Sequence, residues 1–143
     1  MRTIKILTTI LILTMLTSCS LFDSGGDVIK GRYNIGWIDL KANRSINYAL
    51  KEETYGGSEK VGAFVRQMGC NDRYIIAERI YFDMRKMDKP DYDSVSYYIV
   101  DMAKESDYKD DDVLGPFNKE GFDTKKIELG IKDLKFTEKY YDY

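Results

Sequence analysis

The sequence predicts an α+β fold: mainly an antiparallel β-meander sheet of about five to six strands, with one C-terminal α-helix packed on it. Three observations predict it. From Arg32 onward, short stretches rich in aromatic and β-branched residues alternate apolar with polar side chains. Clusters of Gly, Asn, Asp and charged residues separate those stretches. Only Asn118 to Gly130 carries convincing signals for both the start and the stop of a helix.

The strands follow in order. Alternation over Arg32 to Leu40 places Tyr33, Ile35 and Trp37 on one face, with Ile38 and Leu40 on the other. A turn over Lys41 to Ser45 leads to Ile46, Tyr48 and Leu50, which predicts a hairpin. A second hairpin is expected between Val61–Val65 and Tyr74–Tyr81, turning at Gly69 to Asp72, where Asn71 and Asp72 tolerate left-handed backbone angles. The next strand, Val95 to Met102, carries Tyr98, Val100 and Met102 on one side and Tyr97 with Ile99 on the other. Apolar residues on both faces of several strands call for a sheet covered on both sides, and the helix is the expected cover. Asn118 is its N-cap, Glu120 opposes the dipole, Lys125 and Lys126 sit near its end, and Gly130 closes it. Phe117 and Phe122 occupy the positions of a hydrophobic staple. Leu134 and Phe136 alternate with charges and suggest a last strand. Asp83 to Ser94 and Ala103 to Leu114 are expected as long polar connections.

Composition narrows function by exclusion. The chain has 143 residues, 43% of them hydrophobic and 32% charged, which suits one domain. Its 22 basic and 24 acidic residues form no basic run, so a nucleic-acid partner is not expected. There is no histidine, which removes Ser-His-Asp and Cys-His catalysis and His-based metal sites. Neither a phosphate loop nor a dinucleotide fingerprint is present, and no cofactor is expected.

The N-terminus reads as a secretory leader: Arg2 and Lys5, an apolar run over Ile6 to Leu16, then small residues. Leu16-Thr17-Ser18-Cys19 resembles the lipobox of bacterial lipoproteins. That resemblance implies cleavage after Ser18 and a diacylglyceryl thioether on Cys19, leaving a mature chain of 125 residues from the 143. It thus implies residues 1–18 as signal peptide, 19–31 as lipidated Cys and flexible tether, and 32–143 as a single globular domain. The plainer alternatives are a soluble protein cut near Ser18 and an uncut anchor helix. Loss of Arg2 and Lys5 leaves 20 basic against 24 acidic residues, a net −4, so the lipid alone would supply the anchor. In the enterobacterial form of the pattern an Asp after the Cys marks inner-membrane retention, so Ser20 leaves the outer membrane open.

Cys19 and Cys70 are the only cysteines. A lipidated Cys19 leaves Cys70 without an intramolecular disulfide partner, whereas an unmodified Cys19 could bridge to it. Cys70 itself reads as a small residue beside a turn. Asp107, Asp110, Asp111 and Asp112 form the densest acidic cluster, but neither they nor Asp91 and Asp93 have EF-hand spacing, so solvated loop charge is the expectation. Asp39 and Asp101 both follow strand cores and are expected to bond the turn that follows. The 12 tyrosines and Trp37 suit either a ligand surface or half-buried strands; Tyr140, Tyr141 and Tyr143 are expected to be exposed.

Tyr33–Leu40, Arg44–Ile46, Asn71–Ala77, Tyr97–Asp101 and Gly115–Phe117 together resemble a group of short bacterial lipoproteins without assigned activity. The resemblance implies a cell-envelope address and no catalytic residue. The expectation is therefore a membrane-tethered, extracytoplasmic, non-enzymatic domain that binds an envelope protein or glycan. Two rivals are an inhibitor or immunity lipoprotein facing a basic lytic enzyme with an acidic loop, and a small glycan hydrolase using a carboxylate pair.

Overall fold

Side-chain alternation along the two longest strands sets the architecture. The computed structural model describes residues 23–51, 55–81, 91–106 and 110–140, with the backbone alone for 91–93. The expected leader and lipobox, and Asp107, Tyr141 and Tyr143, lie outside these residues. Strand β1 (Ser24–Lys30), β2 (Tyr33–Ile38), β3 (Ser45–Tyr48) and β4 (Ser58–Val61) form one antiparallel sheet in the order β1-β2-β3-β4. Strand β5 (Val65–Cys70), β6 (Tyr74–Tyr81), β7 (Asp91–Asp101), β8 (Val113–Phe117) and β9 (Glu138–Lys139) form a second, in the order β8-β7-β6-β5-β9. The single α-helix among the described residues, α1, runs from Lys119 to Glu128.

The result is a three-layer α+β body. Inward residues of the first sheet (Tyr33, Ile35, Ile46, Tyr48, Val61) meet Val65, Met68, Ile75, Ala77, Val100 and Met102 from the second. On the other face of the second sheet, Tyr74, Ile76 and Ile99 pack against Phe122 of α1 and against Ile131, Leu134 and Phe136. The two faces predicted for β7 hold: Tyr98, Val100 and Met102 point into the sandwich, Tyr97 and Ile99 towards the helix. Phe122 stacks on Tyr97 with ring centroids 4.9 Å apart.

The helix forms as its sequence directs. Asn118 Oδ1 accepts from the Gly121 N–H at 2.8 Å, Phe117 and Phe122 sit in the same apolar cluster, and Gly130 takes a φ of +70°. The turn between β5 and β6 is equally local: Asn71 Oδ1 accepts from the Arg73 and Tyr74 N–H groups at 2.9 and 2.7 Å.

Several expectations change. The strands make two sheets, not one meander, and the first sheet covers the face of the second that the helix does not. Ser24 to Lys30, expected to be part of a tether, are strand β1: Gly25 and Gly26 have low strand propensity, but pairing with Trp37 and Gly36 fixes their backbone. The stretch Val61–Val65 is not one strand. It is the crossing between sheets, with Val61 closing β4, Val65 opening β5 and Phe64 between them at φ +73°. Asp91 to Ser94 extend β7, with Asp91 opposite Tyr81. Leu134 and Phe136 pack as a coil, because the strand that follows, β9, is only Glu138–Lys139. Tyr140 is half-buried against the sandwich core, and burial pushes its phenol up to about 12.

Candidate functional site

A groove lies on the outer face of the first sheet. With Tyr33 and Ile35 turned inward, strand geometry turns Asn34 and Gly36 outward. Register then builds two cross-strand rows. One is Gly26, Gly36 and Ser45; the next is Asn34, Asn47 and Glu59. Glycines in the first row leave a floor of bare backbone. The second row carries amides and a carboxylate. The loop after β3 is drawn over this floor by Asn34, whose Oδ1 accepts from the Gly56 N–H at 3.0 Å and whose Nδ2 donates to the Gly56 carbonyl at 3.2 Å. That clamp holds Tyr55 beside the floor: a Cβ on Gly26 would lie 2.9 Å from Tyr55 Cδ1.

The groove measures about 750 Å³, and its lining includes Asn43, Ser45, Asn47, Tyr55, Trp37 and Glu59. No Lys or Arg is among the lining residues. Asn47 Nδ2 donates to the Ser45 carbonyl and hydroxyl, both at 3.1 Å, which fixes its amide in the floor. Tyr55 leaves 58% of its surface exposed. At one end Trp37, two residues on from the inward Ile35, packs against Gly25, its cross-strand partner, where a Cβ would come within 2.4 Å of the indole. Arg44 sits 5.2 Å from the Trp37 ring and 4.6 Å from the Tyr140 ring, a cation beside two aromatic rings. Trp37 Nε1 is buried with no hydrogen-bond acceptor among the described residues. Unmade bonds of that kind are rare enough in native proteins to call for a reason, and functional sites are one place that tolerates them.

The acidic candidates are dispersed. Asp110 and Asp111 are exposed, but Asp112 is completely buried, contrary to the expectation of solvated loop charge. Its carboxylate accepts from Lys60 Nζ at 3.0 Å and from the Tyr33 hydroxyl at 2.9 Å, and both side chains of the ion pair have no exposed surface. Burial, first, and the Asp112 hydrogen bond, second, hold the Tyr33 phenol far above its usual titration range. This cluster ties β2 and β4 of one sheet to the segment entering β8 of the other.

Asp101 accepts from Arg73 Nε and Nη2, both at 2.9 Å, and from the Ala103 N–H at 3.3 Å, so it bonds the following turn as expected. The Arg73 hydrogen bond holds its carboxyl below the ordinary range. A carboxylate with a lowered pKa adds stability above the ordinary carboxylate range and loses it as pH falls through the native value. Asp101→Asn is therefore expected to melt lower than the unaltered protein at pH 7, with the gap closing below about pH 4; thermal melts across that range check it. Asp39 lies elsewhere, exposed at the groove's rim with φ +67°, its N–H donating to the Asp23 carbonyl at 2.7 Å. Cys70 is exposed and free. No group of three or more Cys, Asp or Glu that could hold a metal occurs among the described residues.

Residues 30–140 match the family model described as a protein of unknown function, DUF3997. The chain belongs to this family. The matched stretch runs from the end of β1 to Tyr140 and so includes β2 to β9, the part of the groove that they build and the buried Lys60–Asp112 pair. No curated protein and no solved structure matches the chain.

Reading the sequence had singled out Trp37 and the tyrosines, and the structure places Trp37 and Tyr55 in one groove. It missed Asn34, Gly36, Asn47 and Glu59. Gly36 inside an apolar strand pattern was the available signal, since glycine there often marks a close approach of a ligand or another backbone.

Proposed function

We propose that this protein is a membrane-tethered, extracytoplasmic lipoprotein whose body binds an uncharged, polar envelope ligand in the groove of the first sheet. A glycan is the chemistry that fits best. The observation that carries the reading is the groove's lining: amide and hydroxyl groups over a glycine floor beside an exposed tyrosine, with no Lys or Arg among the described lining residues. Sugar hydroxyls bond such amides while the C–H face of a sugar ring stacks on an aromatic one. The two acidic lining residues, Asp39 and Glu59, make an anionic ligand a poorer fit.

The address rests on Cys19 and the residues before it. Two acyl chains on one residue are enough to hold a protein on a bilayer without a spanning helix. Metabolic labelling with an alkyne fatty acid is expected to mark the chain and to fail in Cys19→Ala. A labelled Cys19→Ala, or an unlabelled native chain in the soluble fraction, contradicts the address. The binding role is tested separately by titrating the full chain with soluble wall glycan.

The inhibitor reading is less favoured, because Asp112 is turned inward and leaves only Asp110 and Asp111 exposed among the described acids of that cluster. The hydrolase reading is less favoured, because the two carboxylates with resolved shifts, Asp72 and Asp101, are both lowered by hydrogen bonds from cations, from Lys30 and from Arg73, whereas a general acid needs a raised pKa.

A further inference from the structure

The lipid anchor and the start of β1 together fix which end of the body meets the membrane. Pairing begins at Ser24 opposite Ile38, and the Asp23 carbonyl already accepts from the Asp39 N–H. Cys19 is therefore four residues from Asp23, a span of at most about 14 Å at ~3.5 Å per residue. The sequence alone would have allowed a tether as far as Lys30; the structure takes seven of those residues into a strand. At this same end, Ile38 and Leu40 leave 65% and 61% of their surfaces exposed. Asp23 and Asp39 stand against Lys41 here, so the edge carries a net charge of only about −1.

We propose that the end of β2, through Ile38 and Leu40, is seated in the headgroup boundary of the bilayer that holds Cys19. The inference rests on the lipid-anchor reading above. A leash this short brings the edge to the surface at no further cost, and exposed aliphatic side chains held there transfer from water into the acyl boundary. Because the edge is nearly neutral, contact is expected to be the same on zwitterionic and anionic bilayers. Ile38 and Asp39 also line the groove, so its mouth would open beside the membrane and its ligand would be held close to the headgroups.

The test uses the full chain recovered from membranes, in Cys70→Ser form, with an environment-sensitive fluorophore on Ile38→Cys or, as control, on Leu50→Cys. Leu50 is equally exposed, at 62%, but lies beyond the opposite end of the same hairpin, about 20 Å away along the strands. In phosphatidylcholine vesicles containing a headgroup-level nitroxide lipid, quenching at position 38 is expected to be at least threefold that at position 50. Replacing a third of the lipid with phosphatidylglycerol should leave that ratio unchanged. Equal quenching at the two positions, with intact mass showing a diacylglyceryl group on Cys19, overturns the seat and spares the anchor. An unmodified Cys19 by mass overturns both.

Discussion

Lys60→Met is expected to destabilise the protein by about 3–5 kcal/mol, the usual cost of removing one partner of a buried ion pair. The substitution keeps most of the side-chain volume. It leaves the Asp112 carboxylate without the cation that faces it at 3.0 Å, in a place with no exposed surface. The Tyr33 hydroxyl still donates to it, but a neutral donor cannot offset the desolvation of a full charge. Removing the whole cluster should behave differently. In Lys60→Met with Asp112→Leu and Tyr33→Phe, the three groups that bond one another are removed together, and stability is expected to return to within about 1–2 kcal/mol of the native value or to exceed it. Urea unfolding of the three forms checks this. A single variant as stable as the native protein would mean that the carboxylate is not buried as described.

Gly69→Ala is expected to lift the C-terminal segment from the sheet. Gly69 lies in β5, and a Cβ there would stand 2.0 Å from the Lys135 carbonyl oxygen and 2.9 Å from its carbon. Both are backbone atoms, so no side-chain rotation relieves the overlap. At this edge the segment is held by Thr137 N–H to Met68 O at 2.9 Å and Tyr140 N–H to Arg66 O at 2.8 Å, and beyond it by the packing of Leu134, Phe136 and Tyr140. Overpacking of this kind typically costs about 1–3 kcal/mol, comparable with the two edge hydrogen bonds at about 1 kcal/mol each. Tyr140 should report the change. Its phenol is pushed up to about 12 by burial, from a usual value of 10.0, so in Gly69→Ala it should titrate nearer the usual value. The sign follows from linkage. A phenol raised by burial favours the native state below its ordinary pKa, and that contribution is lost as pH rises through the native value. Absorbance titration at alkaline pH, comparing each form with its Tyr140→Phe counterpart, isolates this residue.

What was legible in the sequence was local. The helix carries its own start and stop, and Asn118, Phe117, Phe122 and Gly130 all act in the roles their spacing gives them. The two faces of β7 were readable because alternation is a property of one strand. Sheet membership was not, since it depends on which distant segments pair. Val61 and Val65 share one apolar run, yet the chain turns between them from one sheet to the other at Phe64. Gly25 and Gly26 look like a linker until Trp37 lies across one and Tyr55 across the other. Asp112 looks like its exposed neighbours Asp110 and Asp111, because nothing within a turn of it reveals Lys60, 52 residues earlier, as its partner. The groove was hidden for the same reason. Its rows come from four strands and become visible only in register.

Titration of the full, lipidated chain in detergent micelles with soluble wall glycan, set beside Gly36→Val, tests the central claim most directly. Gly36 takes no left-handed φ, and a Cβ there would meet its nearest neighbour, the Gly25 carbonyl oxygen, at 3.4 Å. The variant can therefore fold while its side chain fills the floor between Asn34 and Asn47. The native chain is expected to bind, with Gly36→Val weakened at least tenfold and its melting temperature little changed. A native chain that does not bind, or a folded Gly36→Val that binds equally well, would contradict the assignment of this face as the ligand site.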